Sequence, residues 1–372
     1  MPHLLVAITA HGFGHVAQTA PVVNALRRRL PRLRLTLYSS LPHSFLAARF
    51  AGDFTHIAHS PDVGMCMKDA LEVDVAVSGR AYRRLHRHWE AAVAAEARLL
   101  ASHAPDVVLA NVPYRILAAA ARAGIPALAM CNLNWLDIYR HFCAGLPEST
   151  SIREEILGAY RSARVFLQPT PHMPMPDLEN CVAIGPVART GIDRRAAIRQ
   201  GLGLPADCKL ILASLGGVAT QISVAEWPPL ADVCWIVPAS WHPRRHDMIT
   251  LESLGMDFVD VLRSTDALIT KPGYGSFVEA ACNGVPVLYA PRHDWPEEAF
   301  LVDWLHEHGR CIAIQRTQLL QGDFSGALER LFRLPPRAPV SPTGIDDAVT
   351  EFCTLINQGE DIDPTHPGRY RN

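Results

Sequence analysis

Two histidines four residues apart stand in a glycine-bearing run, Thr9-Ala10-His11-Gly12-Phe13-Gly14-His15. Imidazole titrates near neutrality, so either ring could take a proton from a substrate hydroxyl. Gly12 and Gly14 let the chain turn tightly and approach a ligand, and the helix that follows would present N–H groups to an anion. The run is not GxGxxG, and no acidic residue marks the end of the second strand, so the pattern is a weak one for a dinucleotide. The plainer alternative is two loop histidines with capping roles. A metal pair is not expected, because glycines interrupt any regular helix between His11 and His15 and no third ligand stands nearby.

A second set lies in the C-terminal half: Lys271-Pro272-Gly273-Tyr274-Gly275-Ser276-Phe277-Val278-Glu279. Here a strand ends in a loop and a helix starts near Ser276, which makes an anion cradle. Glu279 falls about one turn into that helix, where its carboxylate can accept two hydrogen bonds from a diol such as a ribose. A charge that only complements the helix dipole is the alternative. Gly216-Gly217 follows another strand and can offer backbone amides to a phosphate. The loop Pro291-Arg292-His293-Asp294-Trp295-Pro296-Glu297-Glu298 crowds hydrogen-bonding groups around an aromatic face, a set that suits a sugar or, more blandly, a solvated surface.

These residues need elements to hold them. Apolar runs at residues 4–8, 33–39, 106–110 and 126–130 read as buried strands. Helices over 21–30, 46–50, 82–102 and 114–123 separate them, the last closed by Gly124. The pattern restarts with strands at 209–214, 233–237, 267–269 and 285–289, and a helix over 276–283. Strand and helix in alternation predict an α/β chain with doubly wound parallel sheets. Five prolines between 168 and 186 mark the expected interdomain linker. The expected division is an N-terminal acceptor domain over 1–172, a C-terminal donor domain over 173–340, a helix over 341–357 returning to the first, and a flexible tail over 358–372.

Composition narrows the class. With 372 residues, 49% apolar and 19% charged, the chain can bury two cores and is too apolar for disorder. Its 35 Lys and Arg against 37 Asp and Glu leave no basic field to drive nucleic-acid binding. No apolar run approaches the roughly 20 residues of a membrane span, and no secretory leader is evident, so a cytoplasmic location is expected. Nine scattered cysteines without CxxC predict reduced, mostly buried thiols. Arg27, Arg28, Arg29, Arg32 and Arg34, and Arg80, Arg83, Arg84 and Arg87 with Tyr82 and Trp89, read as solvated helix faces. Contact with anionic lipid or an acidic acceptor is the less favoured reading of both.

Taken together, the sequence resembles nucleotide-sugar glycosyltransferases of the GT-B fold, two Rossmann-like domains facing across a cleft. It is most similar to the glycosyltransferase-like N-terminal region of plant L-arabinokinases and stand-alone bacterial relatives. The resemblance is carried by Thr9–His15, Asn134-Trp135-Leu136-Asp137-Ile138-Tyr139, Met173-Pro174-Met175-Pro176, Lys271–Glu279, and Arg292 with Glu297-Glu298-Ala299-Phe300-Leu301. It spans roughly residues 4 to 315. In the plant proteins the kinase activity belongs to a following GHMP-type domain that these 372 residues do not include, so a sugar kinase is not expected.

The resemblance implies a transferase, inverting and metal-independent, with a UDP-sugar as donor, an unidentified acceptor and no cofactor. It places the donor diphosphate at Gly273, Tyr274, Gly275 and Ser276 with Lys271, and the ribose at Glu279. Gly216 and Gly217 would close over the phosphates, with Gly14 opposite. Arg292, His293, Asp294 and Glu297 would meet the sugar. Phe258, Val259 and Trp241 would line the base. His15 would be the general base or sit beside it, with His11 next to it. Residues 62–74 and 132–140 would carry the acceptor side. Where many inverting members have an aspartate to orient the histidine, this chain has Asn111, whose amide can fix the imidazole tautomer but supplies no charge. Asp137 or another carboxylate could substitute, the acceptor could be acidic enough to need little base, or the protein could bind without turnover. The rival readings are a GT-B-fold nucleotide-sugar epimerase and a non-catalytic nucleotide-sugar-binding protein.

Overall fold

The computed structural model describes residues 1–68, 72–216, 222–292 and 294–360, without the side chains of 357–360. Seven strands form the first sheet: β1 (His3–Ile8), β2 (Arg34–Tyr38), β3 (Thr55–Ile57), β4 (Val107–Asn111), β5 (Ala127–Met130), β6 (Val165–Pro169) and β7 (Cys181–Ile184). Six form the second: β8 (Lys209–Ala213), β9 (Val233–Val237), β10 (Met248–Thr250), β11 (Ala267–Thr270), β12 (Val287–Tyr289) and β13 (Cys311–Ala313). All pairs within both sheets are parallel. Helices cover both faces, which is why β1 reads as an unbroken apolar run. Leu4, Val6 and Ile8 enter one core and Leu5 and Ala7 the other, as the two-residue repeat of a strand requires.

The sheet orders are β3-β2-β1-β4-β5-β6-β7 and β10-β9-β8-β11-β12-β13. In each, the order reverses beside the first strand of the unit, between β1 and β4 and between β8 and β11. Loops leaving the carboxyl ends of such neighbours part and open a crevice. The runs at 9–15 and 271–279 follow β1 and β11, so the topology brings both chemically loaded loops to reversal points.

Several elements depart from expectation. The first helix is Gly14–Arg29, seven residues earlier than predicted, with Pro21 inside it. Proline there removes one intrahelical bond, and packing on the sheet outweighs that loss. The long helix expected over 82–102 is two, Val75–His86 and Trp89–His103. At the break the buried His86 ring stacks on Trp89 and its Nε2 meets the Tyr114 hydroxyl at 2.8 Å. The expected linker is bracketed by strands of the first sheet: Pro169 ends β6, and β7 extends that sheet to Ile184, beyond the expected boundary at 172. Pro169 sits at a strand end, Pro171, Pro174 and Pro176 lie in the loop between two paired strands, and Pro186 follows β7. The helix Gly344–Glu360 packs against Gly14–Arg29, and Asp347 accepts the Gly185 N–H at 2.9 Å. The expected tail over 358–372 lies largely outside the described residues.

All nine cysteines are free, six of them buried. Tyr82 and Trp89 are buried too, so they are not available to a lipid surface. Among the described residues no helix is long and apolar enough to cross a membrane.

Candidate active site

His15 lies in the first turn of Gly14–Arg29, a helix whose N-terminus no side chain caps. The β1–β4 register sets Ile8 beside Asn111, and Thr9 N donates to the Asn111 carbonyl at 3.0 Å. That pairing brings the Asn111 amide to the ring: Oδ1 stands 2.9 Å from His15 Nδ1. Burial pulls the His15 pKa down, opposed by the Asn111 hydrogen bond and then by the charge of Glu297. The ring is therefore neutral at physiological pH and able to accept a proton.

His11 has a different setting. Its ring stacks on Trp295 at 5.7 Å and 7°, with the edge of Trp135 at 5.2 Å. Burial lowers its pKa to about 3, helped by His15, Arg292 and Lys271. His11 is a neutral plate in the wall of the cleft. Beside it a cavity of about 420 Å³ is lined by Gly12, Phe13, Ser60, Val63, Met65, Cys66 and Met67, among others. Gly12 and Gly14 have no atom within 4 Å of where a Cβ would stand, so their lack of a side chain keeps space open rather than relieving a clash.

Asp137 does not replace the missing aspartate. Its N–H and carboxylate are taken by Asn134, the cap of the helix Trp135–Cys143, and Arg140 lies 3.2 Å away. Asp62, which sequence reading placed at the edge of the acceptor stretch 62–74 without a role of its own, accepts from the Thr9 hydroxyl at 2.8 Å and Trp135 Nε1 at 2.7 Å. Burial raises its pKa to about 6. Nothing in the local sequence marks Asp62, because both its partners are distant in the chain.

Across the cleft, the helix Tyr274–Asn283 begins at Gly273 with no side-chain cap and no acid in its first turn. It starts two residues before the expected Ser276, so Tyr274, Gly275 and Ser276 supply its unpaired N–H groups. A Cβ on Gly275 would lie 3.6 Å from that of Ala17, so two uncapped helix starts face each other. The Lys271 side chain has no hydrogen bond or ion pair among the described residues, and burial lowers its pKa to about 7, with Arg292 adding to the effect. Glu279 is half-buried; burial raises its pKa to about 7 against the pull of Arg189 and then Arg49.

Other expected donor residues are placed differently. The Tyr274 side chain turns into the core, where its hydroxyl donates to the Thr170 carbonyl at 3.1 Å and accepts from Val187 N at 2.9 Å. Tyr274→Phe is expected to cost about 1 kcal/mol of stability and leave nucleotide affinity unchanged. A thermal melt with and without UDP checks both, and a lost ligand shift would return Tyr274 to the site. The side chains of Trp241 and Val259 are buried and present no base platform, while Phe258 is partly buried against the cluster that contains Val261 and Leu262. Gly216 follows β8 with φ +75° and is exposed. Gly217 and His293 lie outside the described residues.

The loop after β12 reaches into the other half. Asp294 pairs with His141, and Trp295 is counted in the first sheet's core, near Phe142. Arg292 lies over the Trp295 ring at 5.1 Å, with its charge 3.8 Å from Glu297 and 3.5 Å from Glu298. Glu297 is not open to a sugar, because both carboxylate oxygens are engaged, by Asn132 Nδ2 and Trp295 Nε1. Among the described residues no group of three His, Cys, Asp or Glu side chains is placed to hold a metal ion.

No family model matches the chain. It is 27% identical over 365 residues to an L-arabinokinase of Arabidopsis thaliana, covering 90% of this chain and 32% of that protein. The chain thus spans about a third of the length of that relative. It is 23% identical over 275 residues to an uncharacterized glycosyltransferase of Methanopyrus kandleri, covering 69% of this chain and 77% of that one. Among solved structures it is similar to the calicheamicin glycosyltransferase CalG4, with TM-score 0.57, 19% identity, and 96% and 95% of the two chains covered. It is also similar to Phytolacca americana UGT2 in complex with UDP-2-fluoro-glucose and pterostilbene, with TM-score 0.57, 12% identity, and 97% and 95% covered. The chain has the GT-B fold of these glycosyltransferases.

Proposed function

We propose that the protein is a glycosyltransferase that moves a sugar from a UDP-sugar to an acceptor hydroxyl with inversion and without a metal. The observation that carries this reading is the pairing across one cleft of a neutral, amide-held His15 with an uncapped helix start beside the Lys271 ammonium. Asn111 takes the Nδ1 side of the ring, which leaves Nε2 to accept the acceptor proton. The acceptor oxygen then attacks the anomeric carbon from the face opposite UDP, and the anomeric C–O bond to the diphosphate breaks as the new one forms. Charge develops on the diphosphate, where the N–H groups of 274–276 and Lys271 stabilise it without reorganising. Among the described residues the carboxylate whose charge acts on the resulting imidazolium is Glu297 rather than an aspartate beside the ring.

A thermal-shift series with UDP, other nucleoside diphosphates and UDP-sugars tests the donor half. A ligand that binds only the folded state adds about 1.4 kcal/mol of stability per tenfold excess over its Kd. UDP or one UDP-sugar is expected to raise the Tm, and absence of any nucleotide shift overturns the reading. The UDP-sugar that binds is then incubated without acceptor, and appearance of an epimer would make the protein an isomerase instead. NMR of the glycoside product reads inversion.

A further inference from the structure

A chain of side-chain hydrogen bonds crosses from the second half to His15. Trp295 Nε1 donates to Glu297 Oε2 at 2.8 Å, and Asn132 Nδ2 donates to Glu297 Oε1. Gln18 Nε2 donates to Asn132 Oδ1 at 2.7 Å, and Asn111 Nδ2 donates to Gln18 Oε1 at 3.2 Å. Asn111 Oδ1 then faces His15 Nδ1 at 2.9 Å. Glu297, Asn132, Gln18, Asn111 and His15 are all at least nine-tenths buried, so water does not complete their bonding in place of one another.

Each carboxamide has one donating and one accepting end, so the whole chain must run in one direction or the other. An ionised carboxylate only accepts, so Asn132 must turn its NH₂ to Glu297. Its oxygen then takes the Gln18 NH₂, the Gln18 oxygen takes the Asn111 NH₂, and the Asn111 oxygen is left for the ring. We propose that Glu297, Asn132 and Gln18 are positioning residues that hold His15 as its Nδ1–H tautomer, so that seating of the 294–297 loop on the first half is what leaves Nε2 free to accept a proton. The use of Nε2 rests on the transfer reading above; the tautomer itself does not.

The chain can be reversed by isosteric changes. In Glu297→Gln, Trp295 Nε1 can only donate, so it claims the new amide oxygen and turns the NH₂ toward Asn132. Every amide then flips, Asn111 donates to Nδ1, and the ring proton moves to Nε2. In Asn111→Asp alone, carboxylates at both ends leave the buried Gln18 oxygen facing another acceptor. With both changes all donors and acceptors pair again, now in the opposite sense, and the carboxylate introduced at position 111 accepts from Nδ1–H.

The test is nitrogen-15 NMR of the histidine rings at pH 8 in full-length protein, without donor or acceptor. His15→Gln identifies the signal. The expected result is a proton on Nδ1 in the wild type, on Nε2 in Glu297→Gln, and on Nδ1 again in the double variant. A proton that stays on Nδ1 in Glu297→Gln, or sits on Nε2 in the wild type, overturns the proposal. A second readout needs only the other two variants: adding Glu297→Gln to Asn111→Asp is expected to raise the Tm, and a further fall overturns the proposal. Neither measurement involves UDP, so loss of the donor reading and loss of the relay are told apart.

Discussion

His15→Ala is expected to lower kcat by about 10²–10⁴-fold while UDP affinity stays within a few-fold of wild type. The ring belongs to the first half, its Nδ1 is spent on Asn111, and among the described residues no hydrogen bond joins it directly to the helix start at 274–276. Loss of a group that acts only as the acceptor proton leaves should therefore appear in turnover and spare donor binding. Initial rates, together with UDP titration by calorimetry, check the split. An equal loss in Kd would mean that His15 binds donor; unchanged kcat would remove it from the mechanism. Because burial holds the ring below its ordinary pKa, wild-type activity should persist below pH 6.5 and fall only as the ring finally takes a proton.

Glu279→Ala is expected to raise the Kd for UDP by at least about 100-fold, since two hydrogen bonds to an ionised acceptor contribute roughly 1.5–3 kcal/mol each. Calorimetry on both proteins checks it, and a change below tenfold would place the ribose elsewhere. The same residue carries a pH signature in the free protein. Burial lifts its pKa from 4.5 to about 7. Between those values the folded state keeps a proton that the unfolded chain has lost, so this group's contribution to stability declines as pH rises through that window. Glu279→Gln, which cannot ionise, is therefore expected to melt above wild type at pH 8 and to lose that advantage below about pH 4. Melting curves that differ equally at both values would count against a buried carboxyl at this position. A gain in stability with a loss in ligand binding is the usual relation at a site built to hold something else.

Residue order alone was enough for the α/β fold class and for most of the strand ends at which the candidate residues stand. Eight strands were legible because both faces of a parallel sheet are covered, which makes each strand an apolar run bounded by turns. The loops at 9–15 and 271–279 were legible because glycine, histidine and lysine interrupt such runs at strand ends, where α/β sheets bind ligands. Five were not: β6, whose end runs into the proline-rich stretch, and the short outer strands β3, β7, β10 and β13. Local pattern also misled where side chains serve distant partners. Tyr274 stands in a donor-like motif yet bonds to Thr170 and Val187, and Glu297 looks like a sugar ligand yet bonds to Asn132.

What tertiary structure alone decided is the setting of the His15 ring. His15 and Asn111 are 96 positions apart, and Asn132 and Glu297 are 165 apart. Only the β1–β4 register and the insertion of the 294–297 loop bring them together. A histidine's residue type says that it can carry a proton; which nitrogen carries it depends on the direction of the hydrogen bond it meets, and that direction is set by a carboxylate in the other half of the chain.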